Sequence, residues 1–341
     1  MNLKNLWKLS AVVFCFFMAQ TAGAADVFLK MDGMPPGSSM GQMGIAFTQV
    51  VQKHTPYKIQ VSVGKPATKS AILAAKKDTD LFTTAPTINL YMQKKMYMFK
   101  KVKNAPELNA NLRGIINFPL GPYHMVVFES SGIKTIKDIK GKKVFLGPPA
   151  GAATRVMTMV VEGATGYKPG KDFQTMRFDW KTAETAFLDR QMDVHMSPTT
   201  LPSPTIQQFA MSGKIRILTI PDEAFQSALI KKALGFPGRT VEIIPKDIYG
   251  KNQVNTKDSK AIDSWVGIGT HKWLDTEIVY NMTKAFWEHI DQVYATAEWM
   301  KGITKDTALN QMNIPLHIGS YKYYKEAGWN IPDSLIPPET R

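Results

Sequence analysis

One pattern constrains this chain more than any other. A short apolar strand, a loop of small residues and a helix follow one another again and again. Residues 27–31 read as a strand and 35–39 as its loop; the next helix carries Met40, Met43, Phe47, Val50 and Val51 on one face. Residues 58–63 alternate as a second strand, 64–69 form a loop, and 70–77 are helical. Residues 80–83 are a third strand, and Thr84-Ala85-Pro86-Thr87 opens another helix. The second half keeps this style. Strands are expected at 123–128, 143–146, 194–196 and 215–220, with helices over 136–140, over 154–163, up to Met192 and after Asp275. Strands alternating with helices predict an α/β architecture.

In open α/β sheets a ligand sits beyond the carboxyl ends of the strands, where helix N-termini expose free N–H groups and partial positive charge. Three segments have this form: Gly37-Ser38-Ser39-Met40, residues 64–69, and Gly151-Ala152-Ala153-Thr154-Arg155. Ser38, Ser39, Thr68 and Thr154 can cap a helix or bond a ligand oxygen. Lys65, Lys69 and Arg155 can neutralise an anion, Arg155 in bidentate fashion. Ordinary capping with a solvent-facing base is the alternative for any one of these loops, and it fails only if the fold makes them converge.

Other chemistries are poorly represented. No Gly-x-Ser-x-Gly elbow, Walker loop or Gly-x-Gly-x-x-Gly occurs. None of the six histidines pairs with another at metal-ligand spacing, so neither a metal nor a cofactor is expected. His195 and His317 read as structural. Glu129, Asp179, Glu184 and Asp189 offer carboxylates that nothing pairs as acid and base. The 19 methionines read as core filler with some pocket lining.

The N-terminus carries a leader. Lys4 and Lys8 form a basic region, an apolar run follows to Met18, and Ala22 and Ala24 place small residues at −3 and −1. A signal peptide over 1–24, cleaved after Ala24, predicts export. Cys15, the only cysteine, leaves with it, which excludes a disulfide scaffold. Without the two leader lysines, 40 basic residues face 28 acidic ones, a net charge of +12. The lysines are scattered in pairs without interleaved aromatics, so nucleic acid is not expected as a partner.

Longer runs are more specific. The stretch ending Gly141-Lys142-Lys143-Val144 resembles the entry to the second lobe of type II periplasmic binding proteins. Gly147-Pro148-Pro149-Ala150-Gly151-Ala152-Ala153-Thr154 resembles the Gly-Pro-x-Gly-Ser-Gly-Thr loop of the TAXI family, the substrate receptors of TRAP transporters. Residues 315–328, with His317, Gly319, Tyr323, Tyr324, Glu326 and Gly328, are similar to that family's C-terminal motif, and 279–288 to its penultimate helix. The chain departs from the family at the loops. Met40-Gly41 replaces an aromatic pair, Pro66 and Lys69 stand where serine and asparagine are usual, and Ala152 and Ala153 replace serine and glycine.

The resemblance implies a two-lobed periplasmic-binding-protein fold, each lobe a mixed sheet flanked by helices. Lobe I would hold 25–122 plus 245–341 and lobe II 123–244. It implies a periplasmic receptor, monomeric and not an enzyme, that closes on a small organic anion, glutamate-like by family. The receptor would deliver that ligand to a TRAP-type permease. With contacts at Met40 and Ala153 in the loops, and at Thr84, Tyr123 and Thr199, the expected ligand set is Ser38, Ser39, Met40, Lys65, Thr68, Lys69, Thr84, Tyr123, Ala153, Thr154, Arg155 and Thr199. A secreted two-lobed enzyme or a ligand sensor is the alternative.

Overall fold

The computed structural model describes residues 27–340. The expected leader over 1–24, its cleavage site and Cys15 lie outside the described residues. The first run is β1 (Val27–Asp32), α1 (Ser39–His54), β2 (Tyr57–Ser62), α2 (Ala67–Ala74), β3 (Leu81–Thr84), α3 (Pro86–Gln93), α4 (Ala105–Asn109) and β4 (Leu112–Pro119). The chain then crosses to β5 (Tyr123–Phe128), β6 (Lys143–Phe145), α5 (Ala152–Thr165), β7 (Gln174–Thr175), α6 (Trp180–Leu188), β8 (Val194–Pro198), α7 (Pro204–Ser212), β9 (Ile215–Ile217) and α8 (Ala228–Leu234). An antiparallel pair, β10 (Val241–Ile244) and β11 (Ser259–Ile262), leads back to β12 (Trp265–His271), α9 (Thr276–Glu288), α10 (Ile290–Tyr294) and α11 (Ile318–Glu326).

Two five-stranded mixed sheets result, ordered β2-β1-β3-β12-β4 and β7-β6-β8-β5-β9. In each, the strand that follows a crossing runs against its neighbours. β12 is antiparallel to β3 and β4, and β5 is antiparallel to β8 and β9. The crossings are bonded to each other: Leu120 N–H donates to the Ser264 carbonyl at 2.8 Å, and Ser264 N–H to the Gly121 carbonyl at 3.1 Å.

Local sequence explains the elements that frame the cleft. Ser38 caps α1 by accepting from Gly41 N–H at 3.1 Å, and the helix buries Met40, Met43, Phe47, Val50 and Val51 as the periodicity predicts. α2 starts at Ala67 behind Pro66, so Thr68 and Lys69 sit in a first helical turn instead of a loop. α5 starts two residues before the expected Thr154 and ends at Gly166, whose φ of 76° suits a left-handed C-cap. Along β5 the side chains alternate. Met125 and Val127 join the core shared with α5 and α8, while Val126 and Phe128 face Phe187 of α6 and Phe209 of α7.

Residues 245–262, expected in the first lobe, bond to the second sheet. Val254 N–H donates to the Ile215 carbonyl at 2.9 Å, and Asn255 Nδ2 to the Ile217 carbonyl at 2.8 Å. The Tyr249 side chain reaches His124. Neither β10 nor β11 is among the expected strands: each is only four residues long, and β10 turns Val241 and Ile243 to solvent.

Candidate functional site

Between the two sheets lies a cavity of about 130 Å³. That is close to the roughly 150 Å³ apolar cavity that takes up benzene, so the space suits a small organic molecule. The N-terminal ends of four helices border it: Ser39 and Met40 from α1, Ala67 and Thr68 from α2, Ala85 and Ile88 from the start of α3, and Ala152 and Ala153 from α5. Residues from all three candidate loops thus border one cavity. No side chain caps α2, α3 or α5, which leaves their first N–H groups and positive helix ends toward the cleft.

Seven of the expected residues line this cavity: Ser38, Ser39, Met40, Thr68, Tyr123, Ala153 and Thr199. The other five are elsewhere. Lys65 binds Asp32 at 2.6 Å and borders an outer recess. Lys69 is exposed on α2. Thr84 is buried and donates to Asn89 Oδ1 at 3.2 Å; strand alternation turns its neighbour Thr83 into the cavity instead. Thr154 donates to the Pro148 carbonyl at 2.6 Å and so ties its own loop. The Arg155 guanidinium lies 4.5 Å from the ring centre of Tyr97, across the gap between the lobes.

The hydroxyls in the wall are already committed. Thr200 Oγ1 donates to the Pro202 carbonyl at 3.0 Å, so Ser39, 2.8 Å away, must donate to Thr200. Each hydroxyl has one hydrogen. Hence Thr199 donates to Ser39 at 3.0 Å, and Ser203 to Thr199 at 2.9 Å. Ser38 donates to the Pro35 carbonyl at 2.7 Å, and Thr68 to the Ala150 carbonyl at 3.3 Å. Ser38, Ser39, Thr68 and Thr199 therefore present lone pairs to the cavity and have no hydrogen left for an anion. Thr83 Oγ1 is buried without a partner and keeps its hydrogen. The relay continues into the crossing: Tyr249 accepts from Ser203 N–H at 3.2 Å and lies 2.7 Å from His124 Nε2. His124 Nδ1 must donate to the Pro122 carbonyl at 3.0 Å, so Nε2 accepts from Tyr249. Burial holds the His124 pKa down at about 4, which keeps this tautomer neutral.

Sequence reasoning missed Arg239 and left Glu184 among carboxylates without a role. Arg239, in the turn after α8, is buried and lines the cavity. Its Nη1 donates to the Asp263 carbonyl at 3.1 Å, its Nε is without a partner, and its guanidinium lies 5.2 Å from the ring centre of Tyr123. Burial pushes the Tyr123 hydroxyl pKa up, and the neighbouring Arg239 charge opposes that. Glu184 of α6 lines the same cavity; burial raises its pKa while Lys181 pulls it back. The run Gly235-Phe236-Pro237-Gly238 before Arg239 is a turn signal that could have drawn attention to that arginine. Glu184 offers no comparable signal. Among the described residues no group of three histidine, cysteine or acidic side chains could hold a metal ion, and no helix is long and apolar enough to cross a membrane.

The NMT1-like family matches residues 59–328. Among solved structures, MatC from Rhodopseudomonas palustris with bound malate is similar at a TM-score of 0.54 and 13% identity, over 81% of this chain and 89% of that one. A structure described as a periplasmic transporter is similar at a TM-score of 0.51 and 14% identity, over 89% and 93%. At such identity the likeness is one of fold, and the fold is the two-lobed periplasmic-binding-protein fold that the motifs implied.

Proposed function

The chain belongs to the NMT1-like family, and on that premise we propose that it is a periplasmic receptor for a small organic anion. Arg239 is the observation that carries this reading. It is a buried cation with a partnerless Nε, set in a cavity where four helix N-termini meet. Asp263 nearby offsets part of this buried charge, and an anion at the free Nε would offset more of it. Met34, Met40, Ile88, Leu120, Trp180 and Val266 make much of the wall apolar, which suits a short hydrocarbon body behind a single anionic group. The wall holds one carboxylate and no histidine, so no acid–base pair faces the ligand, which favours binding over catalysis.

The ligand would close the two lobes on each other. Lobe I would be 25–122 with the C-terminal segment. The bonds of residues 245–262 to the second sheet support a lobe II that runs from 123 to 262. The TAXI-like motifs support a TRAP-type permease as recipient; an acid with one carboxylate suits this wall better than the glutamate-like ligand that the resemblance implies. The leader pattern supports export to the periplasm, and the receptor would act as a monomer.

The test is a thermal-shift screen of the ligand-free chain against organic acids, followed by calorimetry on Arg239→Ala. A ligand at 100 times its Kd should stabilise by about 2.7 kcal/mol. Loss of Arg239 should weaken binding by about 1.5–3 kcal/mol, as for a hydrogen bond to a charged group. Unchanged affinity would remove Arg239 from the site. A hit that is chemically altered on incubation would favour the enzyme alternative.

A further inference from the structure

We propose that Glu184 selects the ligand, by receiving a hydroxyl or ammonium group at the end of the molecule opposite the anionic group held by Arg239. This rests on the anion-receptor reading. Glu184 is 8% exposed and lines the cavity, yet its carboxylate is poorly satisfied. Thr205 Oγ1 donates to Oε1 at a long 3.5 Å. Lys181 Nζ is 3.9 Å from Oε2, and the Lys181 side chain is 70% exposed. An ionised carboxylate offers about four acceptor positions. Most of those on Glu184 are left for something in the cavity.

Arg239 and Glu184 share one cavity, and among the described residues no ion pair joins them. Glu184 keeps acceptor positions for the ligand, and Arg239 keeps its Nε, although the Asp263 charge lies near it. A plain aliphatic anion would press hydrocarbon against the Glu184 charge, which strips its solvent and replaces no hydrogen bond. A dianion would bring a second carboxylate toward it. A donor at that end meets the acceptor and offsets the burial that raises the Glu184 pKa. The committed hydroxyls reinforce this preference, since Ser39 and Thr199 also show only lone pairs to the cavity.

The experiment is calorimetry at pH 7.5 on the ligand-free chain with matched four-carbon and five-carbon acids. The probes are butanoate, 4-hydroxybutanoate, 4-aminobutanoate and succinate, with pentanoate, 5-hydroxypentanoate, 5-aminopentanoate and glutarate. The hydroxy and amino acids should bind at least tenfold tighter than the plain acids, and the diacids should bind weakest. Glu184→Gln, nearly isosteric and checked by its melting temperature, should lose at least tenfold for the amino acids. It should gain affinity for the diacids and, by a smaller factor, for the plain acids. Plain acids or diacids binding the parent as tightly as the donor-bearing ones would overturn the assignment, as would an unchanged ranking in Glu184→Gln. If no acid binds either chain, the anion-receptor reading itself fails and this inference with it.

Discussion

His195 shows how far a side chain can sit from its usual chemistry. It is 1% exposed, surrounded by the rings of Phe145, Phe187 and Phe209, and neither ring nitrogen has a partner. Burial holds its pKa down at about 3. The unfolded chain takes up the proton below about pH 6.5, whereas the folded chain resists it until about pH 3. Stability from this residue is therefore present above pH 6.5 and lost as the pH falls toward 3. His195→Phe should raise the melting temperature at pH 7, because it removes unsatisfied buried nitrogens. Its advantage over the parent should widen by roughly 2 kcal/mol between pH 7 and pH 5. His124, His317 and Asp263 also titrate abnormally, but they are common to both chains and cancel in the difference. A constant gap between the two unfolding curves would show that His195 finds a partner or water in solution. The structural reading of His195 and His317 needed only the absence of a ligand-like spacing. Their environments could not be read from sequence, since the three phenylalanines around His195 come from β6, α6 and α7.

At the scale of elements, Arg155 and Gly121 separate contact with ligand from contact between lobes. Arg155 stacks on Tyr97 from the opposite lobe, an interaction worth about 0.5–1 kcal/mol at a partly exposed site. Arg155→Ala should lower ligand affinity only a few-fold, by weakening closure, where Arg239→Ala lowers it more than tenfold. An equal loss in the two variants would place Arg155 on the ligand after all. Gly121 lies in the first crossing with φ +115°, and a Cβ there would stand 2.4 Å from the Thr199 carbonyl. Gly121→Ala should therefore displace the 199–203 loop and with it the hydroxyl relay to Ser39. The expected readout is a clear loss of affinity in calorimetry with the helical circular dichroism retained; unchanged affinity would show that the crossing yields without moving the loop. The helix starts that build the cleft were legible because caps and small residues mark them locally. Which side chain each start points inward was not, as Thr83 in place of Thr84 shows: a one-residue offset on a strand reverses the face.

At the scale of the whole molecule, the lobes meet at the cleft and along an apolar seam where Phe236 packs on Tyr91 and Tyr97. Ser39 with Thr199 and Thr200, Thr68 with the Ala150 carbonyl, and Arg155 with Tyr97 are among the principal bridges. The cleft bridges are hydrogen bonds and one stacked pair, which opening about the Phe236 seam would break. Removing ligand should enlarge the radius of gyration seen by small-angle X-ray scattering, and ligand should reduce it again; an unchanged radius would mean a cleft that stays closed in both states. The alternation of strand, small-residue loop and helix determined the α/β architecture by itself, because hydrophobic period and capping act within a few residues. The long motifs added the two-lobed plan. The tertiary structure alone decided the charges of the site. Lys65 and Arg155 looked like anion ligands in sequence, but Asp32 pairs with Lys65, and Arg155 stacks on Tyr97 with its Nε unpaired and lies outside the cavity lining. Arg239 lies 55 positions beyond Glu184, the other charged residue of the cavity wall, and its contacts with the Asp263 carbonyl and the Tyr123 ring hold it there. Whether a charge is free for a ligand depends on its partners across the chain, and no local pattern records those.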